Sequence, residues 1–510
     1  MEAPYHMPTS DGDGTHRVVP LEMSPETFRT LGYRMVDRIA EFLSTTPARP
    51  VTPDETPEQI WSTLGTNALP EHGIDPAGLL ERTADLLFDH SLLNGHPRFW
   101  GYVTSSAAPI GALGDLLAAA VNPNVGGWAL APMATAIEAQ TVRWIAELIG
   151  YRPDCGGLLV SGGNMANFVG FLAARRAQTD WDVRTAGLAG TGSRHLRLYA
   201  SRETHTWVQK AADLFGLGTD AIRWIAPDHR QRMDVRDLRQ QIQADLAAGD
   251  QPFLVVGTAG TVSTGAVDPL LELAAVCREH NLWLHVDGAY GGLAAVVSDA
   301  SADLRGLAAA DSIAVDPHKW LYAPLEAGCV LVREPSLLRD AFSFHPPYYH
   351  FDEQAEEAIN YYELGPQNSR GFRALKVWLG LQQAGRAGYA TMIADDIRLA
   401  QELYQHVDAQ PELEACTQGL SITTFRFVPA DLQTGAAGDE AYLNELNQAL
   451  LERLQAGGEA FVSNAIIGDM FVLRACIVNF RTTRKDIEAL PHIVVRLGRE
   501  LDGERRPPAD

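Results

Sequence analysis

Cysteine is scarce in this chain of 510 residues: there are five, widely spaced, with no CxxC and no His/Cys cluster. Cys155, Cys277, Cys329, Cys416 and Cys476 therefore suit reduced, mostly buried thiols, and their spacing excludes a disulfide framework or a sulfur-rich zinc site. No metal is expected. Basic side chains are outnumbered 41 to 64, for a net charge of −23. That balance disfavours nucleic acid or an anionic membrane as partner, because both reward clustered Lys and Arg. No stretch approaches the roughly 20 uninterrupted apolar residues that a membrane helix needs. The first twenty residues are polar and rich in Gly and Pro, without the apolar core of a signal peptide. These absences predict a cytoplasmic protein that works away from nucleic acid and membranes.

At this length more than one structural unit is expected. Residues 1–95 read as a helical lead-in: after Ser24 and Pro25, apolar Phe28, Leu31, Met35, Ile39 and Phe42 recur near helical spacing. Residues 96–394 read as a large α/β unit. Short apolar strings such as PFLVVGT, NLWLHVD and SIAVDP alternate with Ala/Leu-rich helical stretches. This alternation predicts a mainly parallel sheet with helices on both faces. GCVLVRE follows SIAVDP closely enough to suggest an antiparallel return. Residues 395–510 carry more strands than crossovers and read as a smaller α+β unit.

Four motifs carry chemistry. In VDPHKW, Lys319 follows His318 and Asp316 at the end of a buried strand, where desolvation readies an amine to attack a carbonyl. In LWLHVDGAYGG, Asp287 sits near the carboxyl end of an apolar strand, where ligands of open α/β sheets bind. A carboxylate there can keep a pyridine nitrogen protonated, and the small Ala289 lets a flat ring approach. In LLVSGGNMANFVGF, Ser161-Gly162-Gly163-Asn164 runs from a strand into a helix, offering backbone N–H groups to a phosphate. The run is neither GxGxxG nor a P-loop, which disfavours dinucleotides and ATP. In YASRETHTW, His205 follows a strand end, and its flat ring can stack on a heteroaromatic. Each motif alone has a plainer reading, respectively a solvated turn lysine, a turn-capping Asp, a simple strand–helix turn and a structural His.

In this order and spacing, HPRFWGY, SGGNMAN, THTW, HVDGAYGG and DPHKW resemble the pyridoxal-5′-phosphate (PLP)-dependent group II amino-acid decarboxylases. The resemblance runs from about Ser24 to the FVLRACIVNFRTT segment, and the HVDGAYGG and DPHKW pair carries most of it. It implies PLP fold type I, a homodimer, and a small amino-acid substrate. It implies that Lys319 holds the cofactor as a Schiff base beside His318, that Asp287 pairs with the ring nitrogen, and that Ala289 and His205 flank the ring. Gly163 and Asn164 fall on the phosphate turn. Tyr102 and Thr104 fall on the substrate-side segment after HPRFWG, and Trp100 joins them as an aromatic candidate for the pocket wall. AFSFHPPYYH is similar to the family's mobile catalytic loop, and places Tyr348 as the acid that reprotonates carbon. Two positions depart from the pattern. Asp316 stands where several members carry Asn or Ser near the phosphate, and Val262 replaces a threonine.

The reaction so implied is decarboxylation of an L-amino acid, with His205, Asp287, Lys319 and Tyr348 catalytic. Trp100, Tyr102, Tyr348 and Tyr349 favour an aromatic substrate over glutamate. The alternative is an aldehyde synthase that decarboxylates and oxidatively deaminates. Retention of both Tyr348 and His205 favours the plain decarboxylase, and retention of Lys319 and Asp287 argues against a cofactor-free scaffold.

Overall fold

A capping side chain and a proline start each helix of the N-terminal segment in the computed structural model, which describes residues 19–192, 194–344, 358–432, 435 and 437–506. Ser24, Thr56 and Asp75 accept hydrogen bonds from first-turn N–H groups of α1 (Pro25–Thr45), α2 (Pro57–Leu64) and α3 (Pro76–Asp89). Phe42 of α1 stacks on Phe88 of α3 with ring centroids 4.3 Å apart. Among the described residues no helix is long and apolar enough to cross a membrane.

After β1 (Phe99–Trp100), α4 (Pro109–Val121) and α5 (Pro132–Leu148), the chain alternates strand and helix. The alternating elements begin with β2 (Gly156–Val160), α6 (Gly163–Gln178), α7 (Val183–Ala186), β3 (Leu196–Ser201) and α8 (Trp207–Leu214). They continue through β4 (Ile222–Ile225), α9 (Val235–Ala247), β5 (Gln251–Thr258) and α10 (Leu270–His280) to β6 (Trp283–Asp287), β7 (Ser312–Val315) and β8 (Gly328–Val332). Seven strands form one sheet in the order β2-β8-β7-β6-β5-β3-β4. All neighbours are parallel except β8, which runs antiparallel to β2 and β7. Strands β5 and β6 are buried on both faces, which is why they read as unbroken apolar runs. Separate apolar cores cover the two faces of this sheet.

The remaining elements are α11 (Ser336–Phe342), α12 (Ala374–Asp408), β9 (Leu413–Gly419), β10 (Ile422–Phe427), α13 (Ala437–Ala456), β11 (Phe461–Ile467), β12 (Met470–Cys476) and α14 (Arg484–Arg505). They build a second sheet, β1-β11-β12-β10-β9, with its own core. The HPRFW segment, read from sequence as the opening of the large unit, gives its two-residue strand to this second sheet, parallel to β11. Helix α12 also crosses the expected boundary at residue 395. Its first half packs in the large unit's core and its second half in the smaller one, with a break at Gly385 (φ 63°).

Two buried carboxyls tie elements to the sheet. Strand β2 is an edge, and Leu159 turns its free N–H and C=O away from β8. Glu138 of α5 accepts the N–H at 2.9 Å, Arg370 donates to the carbonyl at 2.6 Å, and the two side chains are ion-paired. Asp396 of α12 accepts from Trp320 Nε1 at 3.0 Å and from the Tyr322 hydroxyl at 2.8 Å, fastening the turn that carries Lys319. Burial pushes the Asp396 carboxyl up to about 7, against the lowering effect of those donors.

The folded state thus holds the Asp396 proton more tightly than the unfolded chain. This group's effect is to reduce stability as pH rises from about 4 to about 7. Asp396→Asn keeps an acceptor for both donors and should lose less stability than the parent between pH 5 and pH 8. Melting curves of both proteins at the two pH values check this.

Candidate active site

The parallel strands of the large sheet all end on one side, and the loops leaving them enclose a cavity of about 410 Å³. Thr258, Asp287 and Ala314 form one row across β5, β6 and β7. The first two of these line the cavity at the carboxyl ends of their strands. The sequence-derived residues Gly163, Asn164, His205, Ala289, Asp316, His318 and Lys319 line it as well.

At one end, Gly162 adopts φ 82°, a left-handed conformation natural only to glycine, and precedes α6 with no side chain capping its first turn. The first N–H groups of α6 therefore have no intrahelical acceptor, and Gly163 and Asn164, which carry the first two, line the cavity. A side chain at Gly328 would lie 2.5 Å from the Gly162 backbone, so the turn is held by close backbone packing. Asp316 lies against the bare Cα of Gly163. Its Oδ2 is 3.1 Å from Lys319 Nζ and 3.6 Å from His318 Nε2, while its buried Oδ1 has no hydrogen-bond partner. The Lys319 turn is held further by the Ser105 hydroxyl, which donates to the His318 carbonyl at 2.7 Å, and by His318 Nδ1, 2.6 Å from the Ala327 carbonyl.

At the other end, the Asp287 carboxyl accepts from the Ala289 N–H at 3.2 Å and from Trp207 Nε1 at 2.8 Å. His205 accepts the Trp207 backbone N–H on Nδ1 at 3.3 Å, which leaves Nε2–H as its free donor. Burial lowers the pKa of both His205 and His318 below the ordinary imidazole value, so both rings are neutral at pH 7. Beneath Asp287, His285 is held between Asn167 Oδ1 and Ser312 Oγ at 2.7 Å each, and burial pushes it down to about 4.

The substrate-side expectations are only partly met. Trp100 is fully buried in the second sheet's core, with Nε1 donating to Thr482 Oγ1 at 3.2 Å, and does not line the cavity. The reason is that β1 joins β11, which turns this indole into that core. Tyr102 is exposed beside the cavity at φ 53°, and Val103 rather than Thr104 lines the wall. Val262 also lines it, and Arg474 donates to the carbonyls of both Val262 and Tyr102 from behind. Tyr348 and Tyr349 lie outside the described residues. Sequence reasoning passed over Trp207 and Asn167. The signal for Trp207 was its position two residues beyond His205, within THTW.

A lysine, a carboxylate at a strand's carboxyl end and an uncapped glycine turn line one cavity on a doubly wound sheet, and residues of these types fit PLP, a pyridine aldehyde that carries a phosphate. The family model described as the pyridoxal-dependent decarboxylase conserved domain matches residues 60–428. An aromatic-L-amino-acid decarboxylase of Bacillus atrophaeus is 34% identical over 483 residues, covering 94% of this chain and 97% of that protein. A phenylacetaldehyde synthase of a Rosa hybrid cultivar is 28% identical, covering 91% and 92%. The crystal structure of Oryza sativa TDC with PLP and tryptamine superposes with a TM-score of 0.87 at 26% identity, covering 95% of this chain and 99% of that one. The chain belongs to the pyridoxal-dependent decarboxylases, fold type I enzymes that use PLP.

A methyl group at Gly163 would sit 2.7 Å from Asp316 Oδ2. Gly163→Ala should therefore displace that carboxylate toward Lys319 and weaken PLP binding about tenfold or more while the fold is kept. Equilibrium dialysis of the cofactor, with circular dichroism as the control, measures both.

Proposed function

We propose that this enzyme decarboxylates an aromatic L-amino acid to the amine and CO₂, as a homodimer in the cytoplasm. The cavity wall carries the substrate class. Its substrate side offers Val103 and Val262, and among the described lining residues Lys319 is the only lysine or arginine. Arg474 stands behind this wall with both terminal nitrogens engaged by carbonyls. An acidic side chain would enter without a counter-charge, at a desolvation cost that an aromatic ring does not meet.

Lys319 would hold PLP through its amine, Asp287 would pair with the ring nitrogen, and Gly163 and Asn164 would receive the phosphate, with Ala289 and His205 against the ring. When bound there, PLP supplies an electron sink for the pair left as the carboxylate departs. Asp316 stands 3.1 Å from Lys319 Nζ and can take up or return a proton at that nitrogen. Neutral His205 presents Nε2–H to the substrate carboxylate, orienting it without the ion pair that would oppose its loss. Tyr348 is assigned the proton delivered to carbon. The similarity to a phenylacetaldehyde synthase supports an aldehyde-forming alternative, and retention of Tyr348 and His205 favours the amine.

The homodimer is supported by an apolar surface. Leu113, Leu116, Leu117 and Val121, at helical spacing on one face of α4, are all more than half exposed. A contiguous patch of this kind is rare on a monomer.

The purified enzyme, screened over the twenty L-amino acids and Dopa, should release CO₂ and amine from an aromatic substrate. Aldehyde with ammonia and hydrogen peroxide would identify the synthase instead. Lys319→Ala should fold but lose both turnover and the visible absorbance of lysine-bound cofactor, and a variant keeping either refutes the assignment. Light scattering should give twice the 55.5 kDa chain mass, and a stable active monomer would contradict the dimer.

A further inference from the structure

The first residue of α8, Trp207, is fully buried, and its one polar atom does not seek a nearby backbone carbonyl as a core indole commonly does. It donates instead to Oδ2 of Asp287, an acid that lines the cavity, at 2.8 Å. The indole has little freedom to turn away. Its ring meets the edge of His285 with centroids 5.6 Å apart and planes at 80°. His285 is fixed in turn by Asn167 of α6 and Ser312 of β7, and Trp283 Nε1 donates to the same Ser312 hydroxyl at 2.8 Å. Gly170 of α6 makes room for that imidazole, since a Cβ there would lie 2.6 Å from its Cε1. A chain of close-packed rigid groups thus runs from α6 and β7 to one carboxylate oxygen.

We propose that Trp207 is a positioning residue for the cofactor chemistry: its indole N–H locks the Asp287 carboxyl in the rotation that presents it to the cofactor's ring nitrogen. The inference rests on the reading that Asp287 is that nitrogen's partner. The Ala289 N–H occupies Oδ1 and the indole occupies Oδ2, so two donors on different elements define the carboxyl plane. Hydrogen bonds to a charged acceptor are the stronger kind, and a fixed carboxylate pairs better with a ring N–H than one free to rotate about χ2. Without the indole donor only the Ala289 bond remains, and the carboxyl turns out of line. The ring nitrogen then holds its proton less firmly, and the cofactor is bound less tightly.

The test uses two variants, Trp207→Phe and the full-length chain with benzothienylalanine at position 207, which keeps the indole's shape and replaces N–H with sulfur. Each is reconstituted with PLP labelled with ¹⁵N in the ring, and the ring-nitrogen chemical shift and the PLP Kd are measured beside the parent and Asp287→Asn. The expected result is a ring resonance displaced toward unprotonated pyridine and a Kd raised about tenfold in both variants, with melting temperatures close to the parent's. If Trp207→Phe does not fold, the benzothienyl variant decides. An Asp287→Asn resonance that moves while folded Trp207 variants keep the parent's shift and Kd overturns the role of Trp207 alone. If the Asp287→Asn resonance does not move either, the pairing of Asp287 with the ring falls, and this inference with it.

Discussion

The edge of the large sheet depends on one buried ion pair. Strand β2 has a neighbour only on the β8 side, so Leu159 would leave a bare N–H and C=O inside the protein. Glu138 and Arg370 take one each and neutralise each other, and Arg370 also donates to the Val125 carbonyl and lies over the Tyr361 ring. Both side chains are almost wholly buried, so losing either partner would strand a charge at a cost of about 3–5 kcal/mol. The strand so pinned runs directly into Ser161 and the glycine turn. The position of the glycine turn is therefore set by an ion pair that does not itself line the cavity.

The site adds little charge of its own. Three histidines stand in or under it, and burial lowers the pKa of all three, so the acidic and basic residues lining the cavity are Lys319, Asp287 and Asp316, with Arg474 behind the wall. Each of these is held from a different direction: the Lys319 turn by Ser105 and Asp396, Asp287 by Ala289 and Trp207, and Asp316 by the packing of Gly163 against it. Such fixed polar groups in a partly dry cavity need not reorganise when a ligand's charge moves.

What could be read from sequence follows from burial. Strands covered on both faces, such as β5 and β6, give unbroken apolar strings, and the short link after SIAVDP foretold the antiparallel β8. Lys319, Asp287 and Gly163 could be singled out because each closes or follows such a string, and all three line one cavity. The HPRFW segment was misplaced because a two-residue strand has no periodicity, and Trp100 was drawn to the substrate side by aromatic type alone, while its pairing partner, β11, lies some 360 residues away. The boundary at residue 395 was misread because α12 keeps a helical pattern through both units. Nothing local announces that Arg370 will meet Glu138, or that the Trp207 indole will reach Asp287, since both are products of chain crossing rather than of spacing.

That edge clamp also orders events in time. Ribosomes deliver β2 and the glycine turn early, yet the residues that complete them, Gly328–Val332 and Arg370, emerge much later. Until then β2 lacks its only sheet neighbour and Glu138 its counter-ion, and a strand unpaired on both sides is a template for the wrong partner. The glycine turn and the strand before it thus draw their support from distant parts of the chain. The clamp on this turn is complete only with residues as far along the chain as Arg370.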